Sequence, residues 1–223
     1  MNLTLMTTLW RQRLTSPVRM AIAGMLTGAP LLGNAQGLVL TLGAGMIGQD
    51  VSSGVLQLLC ARPVQRPEYV LSRWLGVAFA GSAISLLQLG IACGLMAARG
   101  VTPSPQDVVM FGAGRILESF GLAAVLALCS SLVGGFGDLG IYLLAGLGVG
   151  VIQMAGQVKG WLWVQRMGTE LGGALTQTID IARLFAASPM PWFPIVSYAS
   201  TVALCLALAI VVVNRKELSY ASG

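Results

Sequence analysis

Long apolar runs that are nearly free of charge constrain the fold of this chain most. No charged residue lies between Met20 and Gln49, and similar runs cover residues 75–97, 119–133, 141–156 and 194–213. Charged residues make up 9% of the 223 residues, against roughly 25% in soluble domains. Because a helix needs about 20 apolar residues to cross a bilayer core, the sequence predicts an all-α integral membrane protein with one transmembrane domain over residues 1–223.

Six membrane spans are predicted, at about residues 18–32, 36–48, 75–97, 119–133, 141–156 and 194–213. The first two are short, and a tight outer turn after Pro30 joins them. One long span over residues 20–49 is the alternative. It places Arg62, Arg66 and Arg73 outside the cell, against the tendency of Lys and Arg to lie on the cytoplasmic side. The two-span interpretation is therefore preferred, and both termini are expected in the cytoplasm.

The segments between the spans carry their own predictions. Residues 1–16 suit a helix at the cytoplasmic interface, and residues 134–140 an inner turn. Residues 107–118, in which Arg115 and Glu118 are spaced to pair on one helix face, are either a re-entrant or interfacial helix or an extension of the fourth span. Residues 157–192 are predicted to be an outer loop with one or two amphipathic helices.

Several classes of chemistry are disfavoured by the composition. The chain has no histidine, which removes Ser-His and Cys-His nucleophile pairs and imidazole proton relays. Its four cysteines are scattered and form no zinc motif. No GxxxxGK[ST] segment is present to cradle ATP phosphates, and the basic residues stand singly rather than in a nucleic-acid-binding patch. We therefore expect a protein that is not an enzyme and that itself binds no metal, cofactor or nucleic acid.

One compact polar stretch, residues 48–74, interrupts the apolar pattern. Within it Val51, Val55, Leu58 and Leu59 fall on one helical stripe. Asp50 is placed to cap the first turn, and a proline at position 63 ends the pattern. A helix of about ten residues is too short to span a bilayer, so it is expected to lie against the membrane, against a partner, or both. An ordinary basic loop with snorkelling arginines is the alternative.

This stretch resembles the permease subunits of ABC-2 type exporters. The matching residues are Asp50, Gly54, Leu56, Leu58, Leu59, Pro63, Val64, Arg66, Tyr69 and Arg73. The C-terminal NRKELSY is similar to that family's usual ending, and so is the plan of six spans after an interfacial helix. Asp50 departs from the pattern, since the family more typically has Glu there.

The resemblance implies a cytoplasmic coupling helix between spans two and three, over about residues 51–61, that docks on a separate ATP-hydrolysing subunit. ATP and Mg²⁺ are then bound by that partner. The docking residues implied are Asp50, Val51, Gly54, Val55, Leu58, Leu59, Arg62, Pro63, Arg66 and Arg73. A second permease copy or a related permease completes the transporter, which lies in the cell membrane, as expected for a prokaryotic inner membrane, in contact with lipid.

The second and fifth spans line the translocation path in such permeases. The resemblance therefore makes Thr41, Gln49, Gln153 and Gln157 candidates for substrate contact, with plain interhelical hydrogen bonding as the alternative. The function expected is a permease subunit of an exporter that works by alternating access. A membrane subunit that anchors or scaffolds a larger complex without transporting anything is the alternative function.

Overall fold

A computed structural model describes residues 39–40, 42–48, 50, 66–133, 137–179, 181–186 and 192–216. These residues are helical, with turns and short connections and no strand. The helices are α1 (Arg66–Ala98), α2 (Pro105–Leu132), α3 (Gly137–Lys159), α4 (Leu162–Thr176), α5 (Ile181–Ala186) and α6 (Phe193–Lys216). Within the described residues, α1, α2, α3 and α6 are the 4 helices long and apolar enough to cross a membrane. The chain is thus suited to a multi-pass membrane protein.

The predictions for the first two spans lie mostly outside this description. The predicted interfacial helix and first span precede residue 39 entirely. Of the predicted second span, residues 39–40 and 42–43 are helical, and residues 44–47 form a turn in which Gly45 has a φ of 65°. The predicted coupling helix also lies outside the described residues, so the count of six spans stays a prediction.

α1 begins earlier than the third span was predicted to begin. Its first residue is Arg66 rather than one near position 75, so residues 66–74 of the predicted loop 48–74 are helical. Pro67 suits a first helical turn, and Glu68 in that turn interacts favourably with the helix dipole. The arginines favour a loop on the sequence alone, but the Arg73 side chain is buried against protein.

α2 is one continuous helix through residues 107–118, which settles the two alternatives in favour of an extension of the fourth span. Ser104 caps its start by accepting a hydrogen bond from the Asp107 backbone N–H at 3.1 Å. The predicted pair is present, with Arg115 Nη1 3.1 Å from Glu118 Oε2. Residues 137–140 of the predicted inner turn are instead the first turn of α3.

The helices α1, α2 and α6, together with the described residues between positions 39 and 50, form the buried core. Close approach is achieved by glycines: a Cβ at Gly43 would stand 2.6 Å from Leu126 Cδ1, and one at Gly81 would stand 2.5 Å from Val39 Cγ2. The indole N–H of Trp74 on α1 donates to the Phe120 carbonyl on α2 at 3.0 Å. Fully covered side chains of this core include Val39, Met46, Ile47, Val70, Val77, Leu122 and Leu126.

The predicted outer loop 157–192 does contain two helices, α4 and α5. The predicted sixth span, residues 194–213, corresponds closely to α6. Short connections make α1 antiparallel to α2 and α2 antiparallel to α3. We call the end where α1 and α3 begin and α2 and α6 finish the Arg66 end of the bundle.

Candidate functional site

A buried ion pair joins residue 50 to α1 at the Arg66 end. Tyr69 and Arg73 stand four residues apart on α1 and therefore share a face. The Tyr69 hydroxyl donates to Asp50 Oδ2 at 2.7 Å, and Arg73 Nη2 is ion-paired with the same oxygen. The Arg73 guanidinium carbon also lies 5.4 Å from the centre of the Tyr69 ring. With side-chain exposures of 7% and 15%, Arg73 and Asp50 are shielded from solvent and held in one arrangement.

A second polar contact closes the same end of the bundle. Arg66 Nη1 donates to the backbone carbonyl of Asn214 at 3.3 Å. Carbonyls in the last turn of a helix have no partner within the helix, and a cation is favourable there because of the helix dipole. This contact connects the first residue of α1 to the last turn of α6.

The turn at residues 44–47 supplies a third set of contacts. A turn inside the predicted second span would leave backbone N–H groups without helical partners, and in a membrane each must be paired within the protein. Ser130 Oγ on α2 accepts from the N–H groups of Ile47 at 3.0 Å and Gly48 at 2.9 Å. Asp138 Oδ2 on α3 accepts from the N–H of Gly45 at 2.6 Å. The turn is therefore fixed by side chains of two other helices.

Asp138 is the most deeply buried charged residue described, with no exposed surface. Its second oxygen, Oδ1, accepts from the N–H of Leu139 at 2.9 Å. Both oxygens thus receive backbone donors, and the carboxylate lies in the first turn of α3, where the helix dipole favours negative charge. This arrangement compensates the cost of burying it.

Of the predicted docking residues, the structure pairs Asp50 with Arg73 and places Arg66 against the Asn214 carbonyl at the same end of the bundle. The other predicted docking residues lie outside the described part of the chain: Val51, Gly54, Val55, Leu58, Leu59, Arg62 and Pro63. Thr41 and Gln49 also lie outside it. The docking role of the three described residues stays a prediction.

The remaining two predicted path residues lie near the opposite end of α3. The Gln153 side-chain amide donates to the Gly168 carbonyl on α4 at 2.9 Å, which is the interhelical hydrogen bond given as the alternative. Gln157 is exposed. Neither residue is near the Asp50 pair, and substrate contact by either stays a prediction.

Sequence reasoning missed Ser130 and Asp138. Position 138 falls in GGFGDLG, the segment that the sequence predicts to be an inner turn. One signal was present, since an acidic residue directly before a long apolar run is typical of a helix N-terminus. No comparable signal pointed to Ser130. Among the described residues no group of three or more Cys, Asp or Glu side chains is placed to hold a metal ion.

Comparisons with known proteins find no matching family model, and no significant match among curated proteins or solved structures.

Proposed function

We propose that the chain is the membrane subunit of an ATP-driven exporter, a permease of the ABC-2 type, in which residues 51–65 contact a separate ATPase subunit. The observation that carries the proposal is that both ends of this segment are tied to the helix bundle. Asp50, at one end, is paired with Arg73 and Tyr69. Arg66, at the other end, bonds to the last turn of α6.

A segment that transmits movement needs such attachments. Force applied to a flexible loop without contacts to the bundle only bends the loop. Force applied to a segment whose two ends bond to the bundle reaches the helices that hold it. Here those elements are α1, which continues directly from the segment, α6 through Arg66, and residues 39–50 through Asp50. Movement of residues 51–65 by an ATPase would therefore shift three elements of the bundle together.

The turn at residues 44–47 adds a place where the predicted second span can change direction. Its N–H groups are held by Ser130 and Asp138, so α2 and α3 are coupled to the same region. Bending at a turn whose hydrogen-bond partners lie on other helices is one way for a span to open and close a path.

The orientation of residues 51–65 is tested by labelling single thiols in a cysteine-free background. Ser53→Cys and Ser104→Cys place one thiol in the segment and one at the opposite end of the bundle. An impermeant maleimide added to intact cells is expected to modify position 104, and position 53 only after the membrane is permeabilised. Labelling of position 53 in intact cells contradicts the proposal.

The partner is tested by purifying the tagged chain from its native membrane and measuring ATP hydrolysis in the preparation. Arg62→Glu combined with Arg66→Glu is expected to lower the amount of ATPase subunit recovered severalfold. Arg99→Glu, on the exposed turn after α1, is the matched control. A stable assembly without any ATPase contradicts the exporter and supports the scaffold function.

A further inference from the structure

α4 does not lie flat at the end of the bundle but returns along α3. As the residue numbers on α4 rise, those of its contacts on α3 fall. The α3–α4 pairs in contact are Gly156 with Gln165, Gly168 with Gln153, and Gly172 with Val149. At a rise of about 1.5 Å per residue, Val149 is about 15 Å inside the end of α3, so α4 re-enters the bundle from the end opposite Arg66.

The connection after α4 reaches the middle of α2. A Cβ at Gly121 would stand 2.5 Å from Gln177 Cβ and 2.9 Å from Tyr198 Cε2. Gly121 lies about 16 Å from the Arg66 end of α2, and the Tyr198 hydroxyl donates to the Leu117 carbonyl nearby at 2.6 Å. Gln177, with a φ of 52°, ends α4 in the left-handed region. Irregular backbone at this depth requires burial in protein or a cavity beside it.

A cavity of about 520 Å³ does lie beside this connection, between α4, α5 and the first turns of α6. Its volume falls within the range of roughly 300–1,000 Å³ that is usual for small-molecule sites. The rings of Phe193 and Tyr198 line it together with the side chains of Ile179 and Leu184. Ser197 and Thr201 also line it, and the Thr201 hydroxyl donates to the Ser197 carbonyl at 2.8 Å. The described lining is therefore largely apolar and aromatic, with a few polar groups.

Glu170 is the charged side chain of the described lining. It lies on the face of α4 away from α3, because Gly168 and Gly172 occupy the α3 side. Among the side chains that the structure describes, which do not include Arg183 on α5, no Lys or Arg nitrogen lies within 4 Å of its carboxylate. Arg166, one turn earlier on α4, is not among the described residues that line the cavity. The Glu170 side chain is exposed, so its carboxylate is accessible to a ligand that enters the cavity.

We propose that this cavity binds an organic cation carried on an apolar body, with the Glu170 carboxylate as its counter-ion and the Phe193 and Tyr198 rings around its apolar part. A carboxylate and aromatic faces both attract positive charge, and the cavity is large enough for several rings or a branched chain. The site is separate from the Arg66 end, and binding by the purified chain needs no ATPase. Its failure would leave the exporter proposal untouched, and the reverse also holds.

The test uses two probes of the same shape and opposite charge, tetraphenylphosphonium and tetraphenylborate. Equilibrium dialysis of the full chain in dodecyl maltoside micelles measures the affinity for each, after subtraction of binding to empty micelles. The phosphonium is expected to bind at least about tenfold more tightly than the borate, because only the cation gains from Glu170. Equal affinity for the two probes, or no saturable phosphonium binding, overturns the proposal.

Two variants assign the binding to this cavity. Glu170→Gln is expected to weaken phosphonium binding by about tenfold, while Asp107→Asn, which removes a carboxylate at the exposed start of α2, leaves it unchanged. Should Glu170→Gln fail to fold, Phe193→Leu, at a side chain that is 83% exposed, is expected to weaken binding a few-fold. If a folded Glu170→Gln variant binds the phosphonium as tightly as the wild type, the assignment of binding to this cavity is wrong. The same conclusion follows from unchanged affinity in Phe193→Leu when Glu170→Gln does not fold.

A competition experiment with two lipids identifies the source of the cation. Short-chain phosphatidylcholine displaces the phosphonium if the natural ligand is a lipid headgroup, and phosphatidylglycerol does not. If neither lipid displaces the probe that wild-type protein binds, the ligand is a free organic cation. Displacement by both lipids alike shows that the apolar body alone is recognised, which overturns the role of charge.

Discussion

α2 and α3 are neighbours of similar composition, yet they are covered to very different extents. In its most apolar 18-residue stretch α2 buries 44% of its residues within the chain, whereas α3 buries 6%. α2 packs against α1, α6 and residues 39–50, while α3 is covered chiefly by α4. A row of large side chains on α3 is exposed: Leu143, Leu147, Val151, Met154 and Val158.

This difference separates two kinds of stabilisation. The helices α1, α2 and α6 are held by contacts within the chain, including the buried pair of Asp50 with Arg73 and close glycine approaches. The hairpin of α3 and α4 is held together by small residues that let backbones approach, and its outer face depends on lipid or a partner for cover. Changes at α2 are therefore expected to affect folding of the chain, and matched changes at α3 much less.

The largest effect is expected at the ion pair of the well-covered region. Arg73→Met leaves the Asp50 carboxylate shielded from solvent without its cation, which is expected to lower the free energy of unfolding by about 3–5 kcal/mol. Adding Asp50→Asn should recover part of the loss. Denaturant titration in mixed micelles measures both variants, with Arg99→Met as the control at an exposed arginine. A loss as small as that of the control would contradict the burial of the pair.

A pair of leucines compares the two helices directly. Leu122 on α2 is fully buried and Leu147 on α3 is 67% exposed. Leu122→Ala is expected to leave a cavity and to cost about 2–5 kcal/mol of unfolding free energy. Leu147→Ala is expected to cost less than about 0.5 kcal/mol, because lipid fills the space. Equal losses would mean that a protein surface covers α3 in the purified chain.

The accuracy of the sequence predictions also differs between parts of the molecule. α3 and α6 were located well because long apolar runs without charge have few alternative structures in a membrane protein. The start of α1 was misplaced because Arg66 and Arg73 were interpreted as loop residues. Their pairing partners, Asp50 and the Asn214 carbonyl, belong to other elements, and a single sequence gives no sign of contacts across such distances.

The candidate site was predictable only in part for the same reason. Asp50, Arg66 and Arg73 lie within one short polar stretch of the sequence, and the structure pairs Asp50 with Arg73, while their docking role stays a prediction. Ser130 and Asp138 were not predicted, because they pair with backbone N–H groups of residues 45–48, which carry no side-chain signal. The turn that creates these unpaired N–H groups depends on Gly45, one of 29 glycines in the chain, and composition does not distinguish it from the others.

Glycines give a comparison with a smaller expected effect. A Cβ at Gly121 would meet Gln177 and Tyr198 at less than 3 Å, whereas a Cβ at Gly146 on α3 has nothing within 4 Å. Gly121→Ala is therefore expected to lower the free energy of unfolding by about 1–3 kcal/mol. Gly146→Ala is expected to leave it unchanged or to raise it slightly, since alanine favours helix. Thermal melting of both variants in the same detergent makes the comparison, and a larger loss at position 146 would contradict it.

The smallest effect is expected within the sparsely covered region itself, at the contact between α3 and α4. Gln153 donates to the Gly168 carbonyl at 2.9 Å, and hydrogen bonds between helices in membranes contribute only about 0.6 kcal/mol on average. Gln153→Leu is expected to lower unfolding free energy by about that amount, while Gln157→Leu, at an exposed position, should change it by less.

The more sensitive readout is local, because loss of this bond should loosen α4 without unfolding α1 and α2. Amide exchange should therefore quicken in residues 162–176 and stay unchanged in residues 105–132. Faster exchange in both α4 and α2 would mean that the two regions unfold as one unit. The exposed surface of α3 would then not identify a region that unfolds independently.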